Sequence, residues 1–94
     1  MAADQKARRM GESFDDISRR LTDILRDVFD DDRLEVTPDL TADRVAGWDS
    51  FMHLRLILTI ERAFGVDFAA SEITSPKNVG ELAELIAAKA AARA

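Results

Sequence analysis

The segment from Ser50 to Gly65 constrains the fold of this chain more than any other. Its apolar residues recur near i, i+3, i+4 spacing, which predicts a helix with a wide buried face. Those residues are Phe51, Leu54, Ile57, Leu58 and Phe64. Asp49 and Ser50 both belong to the types favoured at a helix N-cap, and Gly65 is typical of a helix end. The Ser50 hydroxyl is therefore expected near unpaired backbone N–H groups, where the helix dipole would stabilise an attached anion.

Further helices are predicted on both sides of this segment. Ser13 is a suitable N-cap for a first helix that ends near Phe29 or Asp30. The apolar face of that helix is predicted to hold Phe14, Ile17, Leu21, Ile24 or Leu25, and Val28. Residues 68–73 predict a turn or a single-turn helix. Asn78 with Glu81 fits the start of a last helix, expected to run to about Lys89.

The connection from Asp31 to Trp48 contains Pro38, which would interrupt a helix, and it is predicted to be a long loop. Leu34, Val36, Leu40 and Val45 are expected to pin this loop to the core. No stretch alternates convincingly as a strand would. The predicted fold class is all-α: a bundle of three main helices plus one short helix, with a long loop between helices one and two.

The composition excludes several classes of function. The chain has no cysteine, so it has no disulfide or thiolate metal site, and any working thiol must come from a cofactor. A net charge of −5 disfavours binding to nucleic acid and to anionic membranes. No apolar run reaches transmembrane length and no secretory signal is recognisable, so a cytoplasmic location is expected.

Several motifs occur in an order that resembles a known family. Asp49-Ser50-Phe51 opens a helix that ends in Phe64-Gly65-Val66. Downstream, Ile73-Thr74-Ser75 is followed by Val79-Gly80-Glu81-Leu82. Over residues 21–86 the chain resembles the acyl carrier proteins, part of the phosphopantetheine-carrier family that includes peptidyl carriers. The stretch Gly47-Trp48-Asp49-Ser50 is similar to discrete carriers of secondary metabolism.

The resemblance implies a carrier without catalytic activity. A phosphopantetheinyl transferase would move 4′-phosphopantetheine from coenzyme A to Ser50, and Asp49 would help the transferase recognise the site. The arm would hold acyl or aminoacyl groups as thioesters. An acyl-loading ligase or acyltransferase and synthase-type enzymes would be the other partners of a monomer. The predicted domains are a flexible extension over residues 1–12, a carrier domain over 13–89 and a frayed tail over 90–94.

Partner docking is predicted on the helix that begins at Ser50. The candidate docking residues are Phe51, His53, Arg55, Glu61 and Arg62. Two arginines against one glutamate give this helix a formal charge of about +1, whereas carriers of fatty-acid synthesis typically present an acidic helix here. Enzymes of that pathway are therefore expected to be poor partners. His53 is expected at the surface beside the attachment site.

Two other interpretations of Ser50 stay open at this point. The serine could be only a helix cap in a helical interaction domain without a prosthetic group. Ser50 and His53 could also form a small hydrolase, although neighbouring helical positions rarely supply that geometry. No metal site is predicted in the acidic loop, since Glu35 and Thr41 stand where an EF-hand counted from Asp30 needs glycine and glutamate.

Overall fold

The computed structural model describes residues 13–93, and over this range the chain is helical. Its α-helices are α1 (Phe14–Val28), α2 (Ser50–Phe64), α3 (Ala70–Thr74) and α4 (Val79–Arg93). A single 3-10 turn, Ala42–Arg44, lies in the connection between α1 and α2. No strand occurs within residues 13–93. The predicted all-α class is confirmed, with three main helices, one short helix and the long loop between the first two.

Helix α1 begins as its sequence predicts, and its buried face agrees with the prediction except at Phe14. The Ser13 hydroxyl accepts a hydrogen bond from the Asp16 backbone N–H at 3.1 Å and so caps the first turn. The buried residues of α1 are Ile17, Leu21, Leu25 and Val28. They pack against α2 and α4. Phe14 was predicted on the same face but is 47% exposed, because it lies in the first turn beyond the edge of the core.

The buried face of α2 agrees with the prediction at Ile57, and in part at Phe64, and differs from it at three residues. Leu56, Ile57 and Ile60 form an inner stripe whose side chains are at most 1% exposed. Three residues predicted as core instead form an outer stripe on the opposite side of the helix. They are Phe51, Leu54 and Leu58, at 73%, 49% and 48% exposure. Both stripes have helical spacing, so periodicity alone does not decide which of them faces α1.

The long loop is pinned where the sequence suggested. Leu40 and Val45 are buried, and Leu34 and Val36 pack half-buried against the core. Two backbone hydrogen bonds also tie the loop to the start of α4: Val79 N–H to the Leu40 carbonyl at 2.9 Å and Gly80 N–H to the Pro38 carbonyl at 2.8 Å. This fixes the path of the chain into α2.

Helix α4 starts as predicted and continues further than predicted. The Asn78 side-chain oxygen accepts from the Glu81 N–H at 2.8 Å, so Asn78 is the N-cap. The helix continues to Arg93 rather than ending near Lys89, consistent with the high helix propensity of its alanines. The proposed division into extension, carrier domain and tail stays a prediction, and the extension over residues 1–12 lies outside the described residues. Over the described range, no helix is long and apolar enough to cross a membrane.

Candidate attachment site at the start of helix α2

Asp49, and not Ser50, caps helix α2. The Asp49 carboxylate accepts a hydrogen bond from the Met52 N–H at 2.9 Å, and the Asp49 carbonyl accepts from the His53 N–H at 2.8 Å. Ser50 is therefore the first helical residue. Its side chain is exposed, and no described residue hydrogen-bonds to its hydroxyl. The sequence allowed either residue as cap, and the geometry leaves the serine oxygen available for chemistry.

The electrostatics at Ser50 suit an attached phosphate. The first N–H groups of a helix lack an intrahelical acceptor, and the dipole places partial positive charge there. The first turn of α2 has no acidic residue. The Asp49 carboxylate is the negative group at this end, and its bond to the Met52 N–H partly offsets its charge. A phosphodiester on Ser50 would therefore lie at the favourable end of the dipole.

Trp48 anchors the approach to this helix end. Gly47 has φ +85°, in the left-handed region that favours glycine, and it turns the chain just before the tryptophan. The indole then packs against Phe29 with ring centroids 5.1 Å apart and is half-buried against the core. Trp48 thus anchors the end of the long loop on the core and fixes the position of Asp49 and Ser50.

His53 is half-buried and hydrogen-bonded through both ring nitrogens, whereas the sequence predicted a histidine at the surface. Its Nδ1 lies 3.1 Å from Trp48 Nε1, and its Nε2 lies 2.7 Å from the Ile73 carbonyl oxygen. An indole N–H can only donate, so Nδ1 accepts and Nε2–H donates to Ile73. Both ring nitrogens are thereby engaged. A Ser50–His53 hydrolase would need one of them free to accept the serine proton, so the geometry opposes that interpretation.

An open groove of about 520 Å³ adjoins Ser50 between α2, α3 and the end of the long loop. Its walls combine apolar and polar side chains. They are Ala42, Trp48, Asp49, Ser50, His53, Leu54, Ile73 and Thr74. Because Ser50 is part of the wall, a flexible group attached to its oxygen could lie in this groove.

The charged residues of α2 fall into two kinds. Arg55 and Arg62 are exposed and lie beside the outer stripe. Glu61 is half-buried, and its carboxylate accepts from the Phe68 N–H at 2.9 Å, which ties the end of α2 to the connection leading to α3. The sequence did not predict that structural role, because it depends on the path of the chain after Gly65. The outward-facing charge of α2 is consequently that of the two arginines.

The acidic loop is organised by its own hydroxyl groups. Hydrogen bonds from the Thr37 and Thr41 hydroxyls lower the pKa of Asp39 and of Asp43, respectively. In residues 13–93, no three His, Asp or Glu side chains come together as metal ligands. These aspartates thus stabilise turns on the path to α2.

Comparison with known proteins agrees with this geometry. Residues 19–86 match the family described as the phosphopantetheine attachment site. The chain is also similar to a holo acyl carrier protein from Geobacter metallireducens, whose structure was determined by solution NMR. The two are 40% identical, the match covers 80% of this chain and 86% of that chain, and the TM-score is 0.75. No curated protein matches the chain. The family match spans well over half of the sequence, and the chain belongs to the phosphopantetheine-carrier family.

The family defines the activity in general terms. The protein is an acyl carrier: it tethers acyl groups on a covalent 4′-phosphopantetheine and is a carrier rather than a catalyst. Acyl carriers interact with phosphopantetheinyl transferases and with synthase-type enzymes. The residues present fit the prosthetic group, since an exposed serine hydroxyl, a helix N-terminus and an open groove meet at one place.

Proposed function

We propose that Ser50 is the residue that carries the 4′-phosphopantetheine arm. The supporting observation lies at the start of α2. Asp49 caps the helix there, so the exposed Ser50 hydroxyl is not used as the cap. In the transferase complex, a bond forms between Ser50 Oγ and phosphorus as the pyrophosphate bond of coenzyme A breaks, and adenosine 3′,5′-bisphosphate leaves. The serine proton passes to the transferase. The attached arm supplies a terminal thiol that holds acyl groups as thioesters.

Asp49 acts twice in this proposal. Its carboxylate fixes the first turn of α2 through the Met52 N–H, so that Ser50 is presented in one position. It also offers the transferase a charged group beside the serine, which is the recognition role implied by the sequence resemblance.

The test is intact mass after co-expression with a broad-specificity phosphopantetheinyl transferase. The wild type should gain one phosphopantetheine increment, and Ser50→Ala should gain none. Ser71→Ala is the matched control, because Ser71 is also an exposed serine in a helix and should not affect modification. Modification that survives Ser50→Ala would overturn the assignment, and an unmodified wild type would favour an interaction domain without the group.

Partner enzymes are proposed to dock on the outer face of α2. The outer stripe of Phe51, Leu54 and Leu58 exposes large apolar side chains just after Ser50 in α2. Their exposed surface contributes no burial energy to the isolated monomer, and such apolar patches mark interaction sites. Arg55 and Arg62 flank that stripe. His53 and Glu61 would hold this face in position through their hydrogen bonds to the backbone of Ile73 and Phe68.

The charge of this face favours partners with acidic docking surfaces. A loading ligase or acyltransferase, together with the synthase-type enzymes of one biosynthetic pathway, would place carboxylates opposite the two arginines. Enzymes adapted to an acidic helix would place basic groups there and meet like charge. The protein would act in the cytoplasm as a monomer.

A further inference from the structure

Two spaces meet at the Trp48–His53 pair. On one side lies the open groove of about 520 Å³ that contains Ser50. Beside it lies a smaller, partly open space of about 50 Å³. Its lining includes the buried side chains of Leu40, Val79 and Leu82, together with Ala42, Pro76, Lys77 and Asn78, which are not buried. Trp48 and His53 form part of the wall of both spaces. The pair is therefore a partition between the attachment groove and the buried apolar side chains that line the smaller space.

The partition is held from three parts of the chain. The Trp48 ring comes from the end of the long loop, His53 from α2 and the Ile73 carbonyl from α3. The indole and imidazole rings are stacked at 23°, with centroids 6.1 Å apart. We call the hydrogen-bonded chain of Trp48, His53 and Ile73 the bridge.

We propose that the bridge closes the interior to the acyl group on the arm, so that His53 restricts the cargo to short or polar acyl groups held in the surface groove. This inference rests on the attachment of the arm at Ser50. The arm would keep its terminal group at high effective concentration beside the partition. Whether the acyl group enters the interior then depends on two free energies: the gain from burying its apolar surface and the cost of opening the bridge.

That balance depends on chain length. Opening the bridge breaks two part-buried hydrogen bonds, one from the indole N–H to His53 and one from His53 to the Ile73 carbonyl, and the stabilisation that each contributes is lost. A short acyl group has little apolar surface with which to offset this cost. Each added methylene increases the surface that burial would remove from water. The smaller space itself holds only a few carbon atoms, so a long chain would also have to part the core side chains.

The test compares acetyl and octanoyl groups on the holo protein, with the mass increment of each sample confirmed first. A missing increment would reveal failure of the attachment at Ser50, separately from this inference. The readouts are the methyl resonances of Leu40, Val79 and Leu82 and the rate at which hydroxylamine cleaves the thioester. In the wild type, the two acyl groups should give the same methyl spectrum and similar cleavage rates.

Three variants separate the bridge from a general loss of stability. In His53→Ala, the octanoyl group should shift the methyl resonances of the three residues. Its thioester should be cleaved about tenfold more slowly, equivalent to roughly 1.4 kcal/mol in favour of the buried chain. His53→Gln can still accept from Trp48 and donate to Ile73, so it should behave like the wild type. Trp48→Phe removes the N–H but keeps an aromatic ring, and it provides the same readout if His53→Ala fails to fold.

The inference is overturned by any of three results. One is an octanoyl group that shifts the methyl resonances of the wild type as strongly as those of His53→Ala. Another is a folded His53→Ala or Trp48→Phe in which octanoyl and acetyl remain indistinguishable. The third is a folded His53→Gln that opens as His53→Ala does, because the hydrogen bonds would then not be the barrier.

Discussion

The two sides of α2 have similar apolar content and opposite environments. The inner stripe of Leu56, Ile57 and Ile60 is almost inaccessible, whereas the outer stripe of Phe51, Leu54 and Leu58 is about half exposed or more. In a single small domain, one apolar side of a helix is enough to complete the core against α1. The other side is not needed to close the core, which leaves it available for the partner docking that we propose.

Stability should distinguish the two stripes by the largest margin. Leu56→Ala removes a fully buried side chain of α2 and should destabilise the protein by about 2–5 kcal/mol. Leu58→Ala is the matched control, because it changes the same residue type two positions away on the opposite side of the helix. We expect it to cost less than about 1 kcal/mol. Urea denaturation of both variants measures the difference, and equal losses would mean that the outer stripe is also core.

Partner binding should distinguish the stripes in the reverse order. Phe51→Ala truncates the most exposed large apolar side chain of α2, next to Ser50, and should slow acyl transfer by a cognate enzyme about tenfold. The free energy of unfolding should change little. Phe14→Ala removes an exposed phenylalanine of α1 and serves as control. A transfer assay in which both variants are equally active would remove Phe51 from the docking surface.

The starts of α1 and α4 and the end of α2 could be predicted because their signals are local. Ser13, Asn78 and Gly65 act through backbone groups within four residues of themselves, so their types and spacing were sufficient. The buried face of α2 could not be chosen in this way, since both stripes have the same period. Nor could the cap be assigned, because Asp49 and Ser50 are adjacent and both can cap.

The environment of His53 needed the tertiary structure. Its partners are Trp48, five residues earlier, and the carbonyl of Ile73, twenty residues later. Every residue has a backbone carbonyl, so the residue type at position 73 does not indicate that its carbonyl accepts a hydrogen bond from His53. The sequence placed the histidine near Ser50 and could not show that its ring faces inward. The position of Ser50 was predictable because motif and cap coincide at one helix start.

Charge reversal on the outer face should have a smaller and salt-dependent effect. Arg55→Glu combined with Arg62→Glu should weaken transfer by natural partners several-fold and improve processing by enzymes adapted to an acidic helix. Both effects should shrink at high salt. Arg19→Glu with Arg33→Glu makes the same change in net charge at exposed positions outside α2. If that control has the same effect, overall charge rather than docking at α2 controls the rates.

The smallest expected effect concerns α3, which borders the outer face through Ile73 and Thr74. Lys89 of α4 holds this helix through an ion pair with Glu72 at 2.7 Å, and the hydrogen bond to Lys89 is the main reason that the pKa of Glu72 lies below its usual value of 4.5. A carboxyl group with a lowered pKa in the folded state stabilises the fold above its unfolded pKa. That stabilisation is lost as the pH falls from about the unfolded pKa through the lowered one.

Glu72→Gln can still accept from the Ala69 N–H but carries no charge, so it should be slightly less stable than the wild type at pH 7 and should approach the stability of the wild type near pH 3. Lys89→Met should make the two proteins alike at both pH values, and a gap that persists in that background would assign the effect to the Ala69 contact rather than to the ion pair.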